Sequence, residues 1–194
     1  PDTTTEEIFD MEWITEEPTR SPTTPEPTPE PITPSPTAKP SKKPTAWRGK
    51  RLSEDSVLHY KVDEDAGTFS GKIIHDGEAW VGLAFSNDGR MVGSEAVIGT
   101  PSDGIVQKYV LGDSSKRGGP TPMSDDKQTL TRADCFINDD GQTIMKFTKP
   151  LVEDGEIEIY AGDSGEDNIM LHASGWSGDS LGYHKSRMVF TLRL

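Results

Sequence analysis

From Val57 onward, apolar positions come in short runs with a period near two, broken at intervals by turn residues, and helical periodicity is hard to find. The runs that read as strands are Val57–Val62, Thr68–His75, Ala79–Ser86, Glu95–Thr100, Ile105–Gly112, Leu130–Ile137, Gln142–Thr148, Glu156–Gly162, Asn168–Gly175 and Arg187–Leu194. Their connectors carry turn chemistry. Asp76-Gly77, Asp88-Gly89, Asp140-Gly141 and Asp154-Gly155 each put a glycine where a tight turn wants positive φ. About ten antiparallel strands with such turns predict an all-β fold, a sandwich or barrel, without internal repeats. The Asp/Asn-rich connectors read as turns rather than calcium loops. Gly82, inside the apolar run Ala79–Ser86, marks a bulge or the close approach of a backbone or ligand.

The chain before these strands obeys different rules. Eleven of the 15 prolines lie between Pro1 and Pro44, and all 19 glycines lie from Gly49 onward. Residues 1–46 are acidic and Pro/Thr-rich, with too few aliphatic side chains to offset the entropy of ordering, so they read as a disordered, extended stalk. Such a tract commonly carries O-glycans, or serves as an unmodified linker. Within it, Ile8–Ile14 is a short apolar patch expected to be disordered, with docking on a partner as the alternative. Residues 47–194 suffice for one domain with one core.

Charge and composition remove several functions. A formal net charge of −13 argues against nucleic acid or an anionic membrane as partner. No apolar stretch approaches the roughly 18–20 residues that span a bilayer, so membrane attachment is expected only through segments outside this chain. The lone cysteine, Cys135, allows no internal disulfide and reads as a buried hydrophobe alternating with Ala133 and Ile137. Gly-x-Ser-x-Gly, a phosphate-binding glycine loop and His-Glu-x-x-His are all missing, so nothing points to a hydrolase, a kinase or a zinc enzyme.

Two residues are out of place as structural elements. Met91 follows the Asn87-Asp88-Gly89 turn in a glycine-flanked loop that offers no apolar stripe, and His184 occupies another glycine-flanked loop just before the last strand. A thioether and an imidazole brought to one rim make a known axial pair for haem iron, although loop residues of these types also serve as plugs and solvated turn groups. His172 lies within a strand run and reads as a packing or pocket-wall histidine; His59 and His75 read as solvent-facing.

The run Ala79–Gly99 (AWVGLAFSNDGRMVGSEAVIG) and the run Leu171–Leu194 (LHASGWSGDSLGYHKSRMVFTLRL) resemble the two signature segments of the DOMON domain family. The resemblance covers most of Val57–Leu194 and implies an immunoglobulin-like antiparallel β-sandwich in an extracellular or cell-surface protein. In the haem-binding branch, which includes the cytochrome domain of cellobiose dehydrogenase and plant apoplastic cytochromes, it implies haem b held by Met91 and His184. His172 is the rival to His184. On the same reading Trp80, Phe85, Tyr183 and Trp176 supply apolar walls, and Arg90, Lys185 or Arg187 pair with the propionates; the alternative reads Trp80 and Phe85 as alternating core residues and the basic residues as solvated loop ends. The function implied is one-electron transfer with a redox partner protein or membrane cytochrome, rather than catalysis by the domain itself. The alternative is a haem-free module for carbohydrate or another small ligand, with Trp176 and Trp80 as stacking platforms.

Overall fold

The computed structural model describes residues 46–112, 119–176 and 181–194; the stalk reading, which falls on residues 1–46, lies outside them apart from Ala46. In chain order the strands are β1 Arg48–Arg51, β2 Ser56–Asp63, β3 Thr68–His75, β4 Val81–Ser86, β5 Glu95–Thr100, β6 Ile105–Leu111, β7 Pro120–Pro122, β8 Thr131–Ile137, β9 Thr143–Pro150, β10 Asn168–Ser174 and β11 Ser186–Leu192. They form two antiparallel sheets. One has five strands in the order β1-β2-β3-β9-β8, the other six in the order β11-β10-β4-β5-β6-β7. Among the described residues the helical elements are two 3-10 turns, Asp125–Lys127 and Gly162–Ser164.

The sheets stack because alternate residues on each make one apolar face. Leu58, Tyr60, Phe69, Ile73, Met145 and Phe147 from the five-stranded sheet meet Val81, Leu83, Phe85, Val97, Met170 and Phe190 from the other. Phe69 packs edge-on against Phe85, centroids 6.0 Å apart at 89°. Gly99 is required by this closeness: a Cβ there would lie 2.8 Å from the Met145 sulfur and 2.9 Å from that of Cys135. Cys135 is buried, and burial pushes its thiol up to about 12.

A buried ionic network ties the sheets together. The Lys108 ammonium, on β6, lies 3.0 Å from Glu153 and 2.6 Å from the Glu156 carboxylate, and it donates to Thr129 Oγ1 at 3.0 Å. Lys149, on β9, reaches the same two glutamates, Glu156 at 3.1 Å. All four charges are thus taken out of water together, with hydrogen bonds replacing hydration.

Two expectations are corrected and two unexpected strands are added. Glu156–Gly162 is not a strand, although its alternation is real. Its backbone groups find partners off any ladder: Ile157 N–H donates to Glu95 Oε2 (2.9 Å), and Tyr160 exchanges both its groups with the Asn168 side chain (2.8 Å each). Strands β1 and β7 were not legible, being a charged tetrapeptide and a proline-bearing triplet, both at sheet edges where apolar alternation is not demanded. His75 is buried rather than solvent-facing. It shares the inward parity of Phe69 and Ile73, and its Nδ1 lies 2.8 Å from Ser56 Oγ.

Candidate functional site

In a two-sheet sandwich the outer face of an antiparallel sheet is ordinarily solvated and polar. The outer face of the six-stranded sheet is not. Ala84 stands opposite both Ala96 and Leu171, and Gly82 opposite both Ile98 and Ala173, so the register lines small and aliphatic residues into one apolar floor. With Trp80, Tyr109 and Leu111 they make a second apolar cluster, against which Met91 and Leu181 pack. Because the central side chains are small, the floor is hollow. The cavity above it has a volume of about 720 Å³, and Met91 and His184 both line it.

Each of the two is positioned by its loop. Gly89 adopts φ 76°, letting the chain turn sharply after β4. Ser86 Oγ accepts from Gly89 N–H at 3.0 Å and donates to the Arg90 carbonyl at 3.2 Å, while Ser94 N–H bonds the Met91 carbonyl at 3.1 Å. Met91 is therefore held by its neighbours' backbone, and its side chain is free to enter the cavity. On the other side, Lys185 N–H donates to the Ser174 carbonyl at 2.8 Å, and the Lys185 ammonium pairs with Asp55 at 3.1 Å, fixing the chain directly after His184. Burial, helped by the Arg187 charge, lowers the His184 pKa, which favours the neutral imidazole a ligand must be.

His172 lies differently. It follows the parity of Met170 and Ser174, whose side chains face the core between the sheets, whereas Leu171 and Ala173 face the cavity floor. Its Nδ1 lies 3.0 Å from the Gly82 carbonyl, so that nitrogen carries the proton and Nε2 keeps its lone pair. Among the described residues, Nε2 and the nearby Ser174 Oγ are buried without a hydrogen-bond partner. Burial pulls the His172 pKa down to about 4. His172 thus follows the core-side parity of β10 and is also among the residues that line the cavity with Met91 and His184.

Of the remaining expected wall residues, Trp80 lines the cavity and packs tightly on Gly175, where any Cβ would strike its ring at 2.1 Å. Tyr183 also lines it, with 89% of its surface exposed. Phe85 does not; its odd-numbered position on β4 turns it into the core, which corrects the wall reading. Trp176 is exposed and lies outside the lining. Among the basic residues Arg187 faces the cavity, while Arg90 pairs loosely with Asp88 at 3.7 Å and Lys185 with Asp55. Of the small-residue floor the sequence reading marked only Gly82; Ala84, Ala96, Ala173 and Leu181 escaped it. The signal for the floor was a strand without polar alternation, β4, buried at all six positions.

Residues 52–172 match the DOMON domain family, a span that includes Met91, the floor residues from Gly82 to Leu171 and His172, and ends before Ala173 and His184. No curated protein matches the chain. Among the described residues no helix is long and apolar enough to cross a membrane. The family match covers more than half of the sequence and coincides with a two-sheet antiparallel sandwich carrying an outer hollow, so the chain belongs to the DOMON domain family, a membership consistent with a module for haem or another small ligand.

Proposed function

We propose that this domain binds haem b between Met91 and His184 and works as an extracellular electron-transfer module serving a redox partner protein or membrane cytochrome. One observation carries the reading: a thioether and an imidazole from loops far apart in sequence line one apolar cavity of about 720 Å³. The residues fit the group. Gly82, Ala84, Ala96 and Ala173 leave room for a flat, apolar body, and Leu111, Leu171 and Leu181 exclude water around it. Arg187 is the cation suited to receive propionate carboxylates, since Arg90 and Lys185 already face acidic partners. Haem b bound there would supply one-electron chemistry, with thioether ligation favouring the reduced state.

Spectra of the haem-loaded variants test this. Met91→Ala should give a five-coordinate or weakly coordinated haem of lower potential, and His184→Ala should reduce haem retention strongly. An unchanged low-spin spectrum in both variants overturns the assignment. The carbohydrate reading draws on one observation, the exposed Tyr183 at the cavity mouth. It is weakened by Trp80, expected as a stacking platform but only 6% exposed.

A further inference from the structure

The opposite side of the sandwich carries a second hollow of different chemistry. On the outer face of the five-stranded sheet, His59, Lys72 and Lys146 stand side by side in register across β2, β3 and β9, and Lys61, Ser70 and Thr148 form the next row. These residues, with Trp47 and Arg132, line a groove of about 580 Å³. Like charges directly opposite each other on a sheet destabilise it, yet Lys72 and Lys146 are such a pair in a chain of net charge −13. Among the described residues neither lysine, nor Lys61, nor Arg132 has a carboxylate partner within ion-pair distance. Asp134 stands opposite Lys146 in the ladder, but the Lys146 ammonium lies over the Phe136 ring at 4.8 Å, and that of Lys61 lies over Trp47 at 5.3 Å. Arg132 adopts positive φ, 51°, at the irregularity between Thr131 and Asp134. Such a conformation is strained for a residue with a side chain, and strained backbone clusters at functional positions.

From this arrangement we infer that the groove binds a short segment of a carboxylate-bearing oligosaccharide, a uronate. Cations without a carboxylate partner at neighbouring strand positions call for repeated anionic groups, and the half-exposed Trp47 ring, with the Thr148 hydroxyl that lies 2.9 Å from the buried Ser70 Oγ, suits a polyhydroxylated sugar. A peptide is the poorer fit. Extended peptides gain affinity from main-chain hydrogen bonds at a sheet edge, and here the groove lies over strands whose backbone groups are taken up in ladders on both sides. Long phosphate arrays, in a nucleic acid or an anionic bilayer, would be repelled by the remainder of the molecule. This site is independent of the haem reading, because it uses no residue of the other cavity.

Titration calorimetry of the intact protein with a tetragalacturonate, with a neutral tetrasaccharide of equal length and with polyglutamate tests the inference. The tetragalacturonate should bind, and more weakly as salt is raised, while the other two do not. Lys72→Gln and Lys146→Gln should each weaken binding by roughly tenfold or more, the loss of one charge-assisted hydrogen bond. Trp47→Ala, which lies before β1 and outside any strand, should weaken it without touching the sheet. Arg193→Gln, the same loss of charge outside the groove, should leave it unchanged. The inference is overturned by the absence of binding, by equal binding of the neutral sugar or polyglutamate, or by wild-type affinity in the lysine and Trp47 variants.

Discussion

The two outward faces of this sandwich are built from strands of similar length and opposite logic. On the five-stranded sheet, β2 alternates strictly between buried and half-buried positions, and its outward side chains include His59 and Lys61. On the six-stranded sheet, β4 is buried at every position, because Gly82 and Ala84 on its outer side lie under an apolar cluster just as Leu83 and Phe85 on its inner side do. A strand with two apolar faces must be covered twice. The other sheet provides the first cover, and the Met91 and His184 loops provide the rim of the second. The lesson is that the missing polar alternation of β4, more than any single residue, marks the face that carries the apolar cavity, whereas the alternating sheet leaves its outer side free to carry charge.

Both faces rest on one frame, so the most damaging change should strike what joins the sheets. Lys149→Ala leaves Glu153 and Glu156 buried with one ammonium, Lys108, between them. Removing one partner of a buried ionic group costs about 3–5 kcal/mol, to be read from the urea midpoint, with far-UV circular dichroism of the residual fold unchanged. A loss below about 1 kcal/mol would mean that the network is not a structural tie.

The next effect sharpens the difference between the two sides of β10. His172 titrates near 6.5 when unfolded and near 4 in the folded protein, because burial disfavours its charge. Between those values the unfolded chain binds the extra proton, so this contribution to stability is fully present above pH 6.5 and is lost as pH falls toward 4. The total is about 3 kcal/mol at 1.36 kcal/mol per pH unit. His75, also lowered chiefly by burial, acts in the same direction. His172→Leu should flatten most of this slope in urea unfolding followed from pH 7 to pH 4; a slope unaltered by the substitution would contradict a core-side imidazole.

The smallest change in energy divides the faces most cleanly. Ala84→Phe fills the hollow from the floor and should lower haem affinity by roughly tenfold or more while leaving uronate binding as it is. Equal haem affinity in that variant would show that the floor does not seat the ligand.

Much of this was legible in the sequence for identifiable reasons. Strands β3 and β5 coincide with their apolar runs because each is bounded by turn residues, and Asp88-Gly89 announced the turn that launches the Met91 loop. Glu156–Gly162 misled because Ile157 and Ile159 point inward while their backbone is satisfied by Glu95 and by Leu151. His75 was misjudged although it sits two residues from the core side chain Ile73 and alternation sends it inward too, while Phe85, two residues from Leu83, follows the core alternative that alternation offered rather than the wall reading. The cavity floor could not be read from local pattern, since Gly82, Ala84, Ala96 and Ala173 become one surface only when three strands are set in register. Met91 and His184 stood out because a bulky thioether and an imidazole had no stripe to belong to.

The most direct measurement is an absorption spectrum of the protein titrated with haem, first oxidised and then reduced with dithionite. Ligation by Met91 and His184 predicts a saturable, sharp Soret band and, on reduction, the split α and β bands of low-spin six-coordinate haem b. Failure to form that band at any haem concentration would contradict a cytochrome function and leave the cavity to a different small ligand.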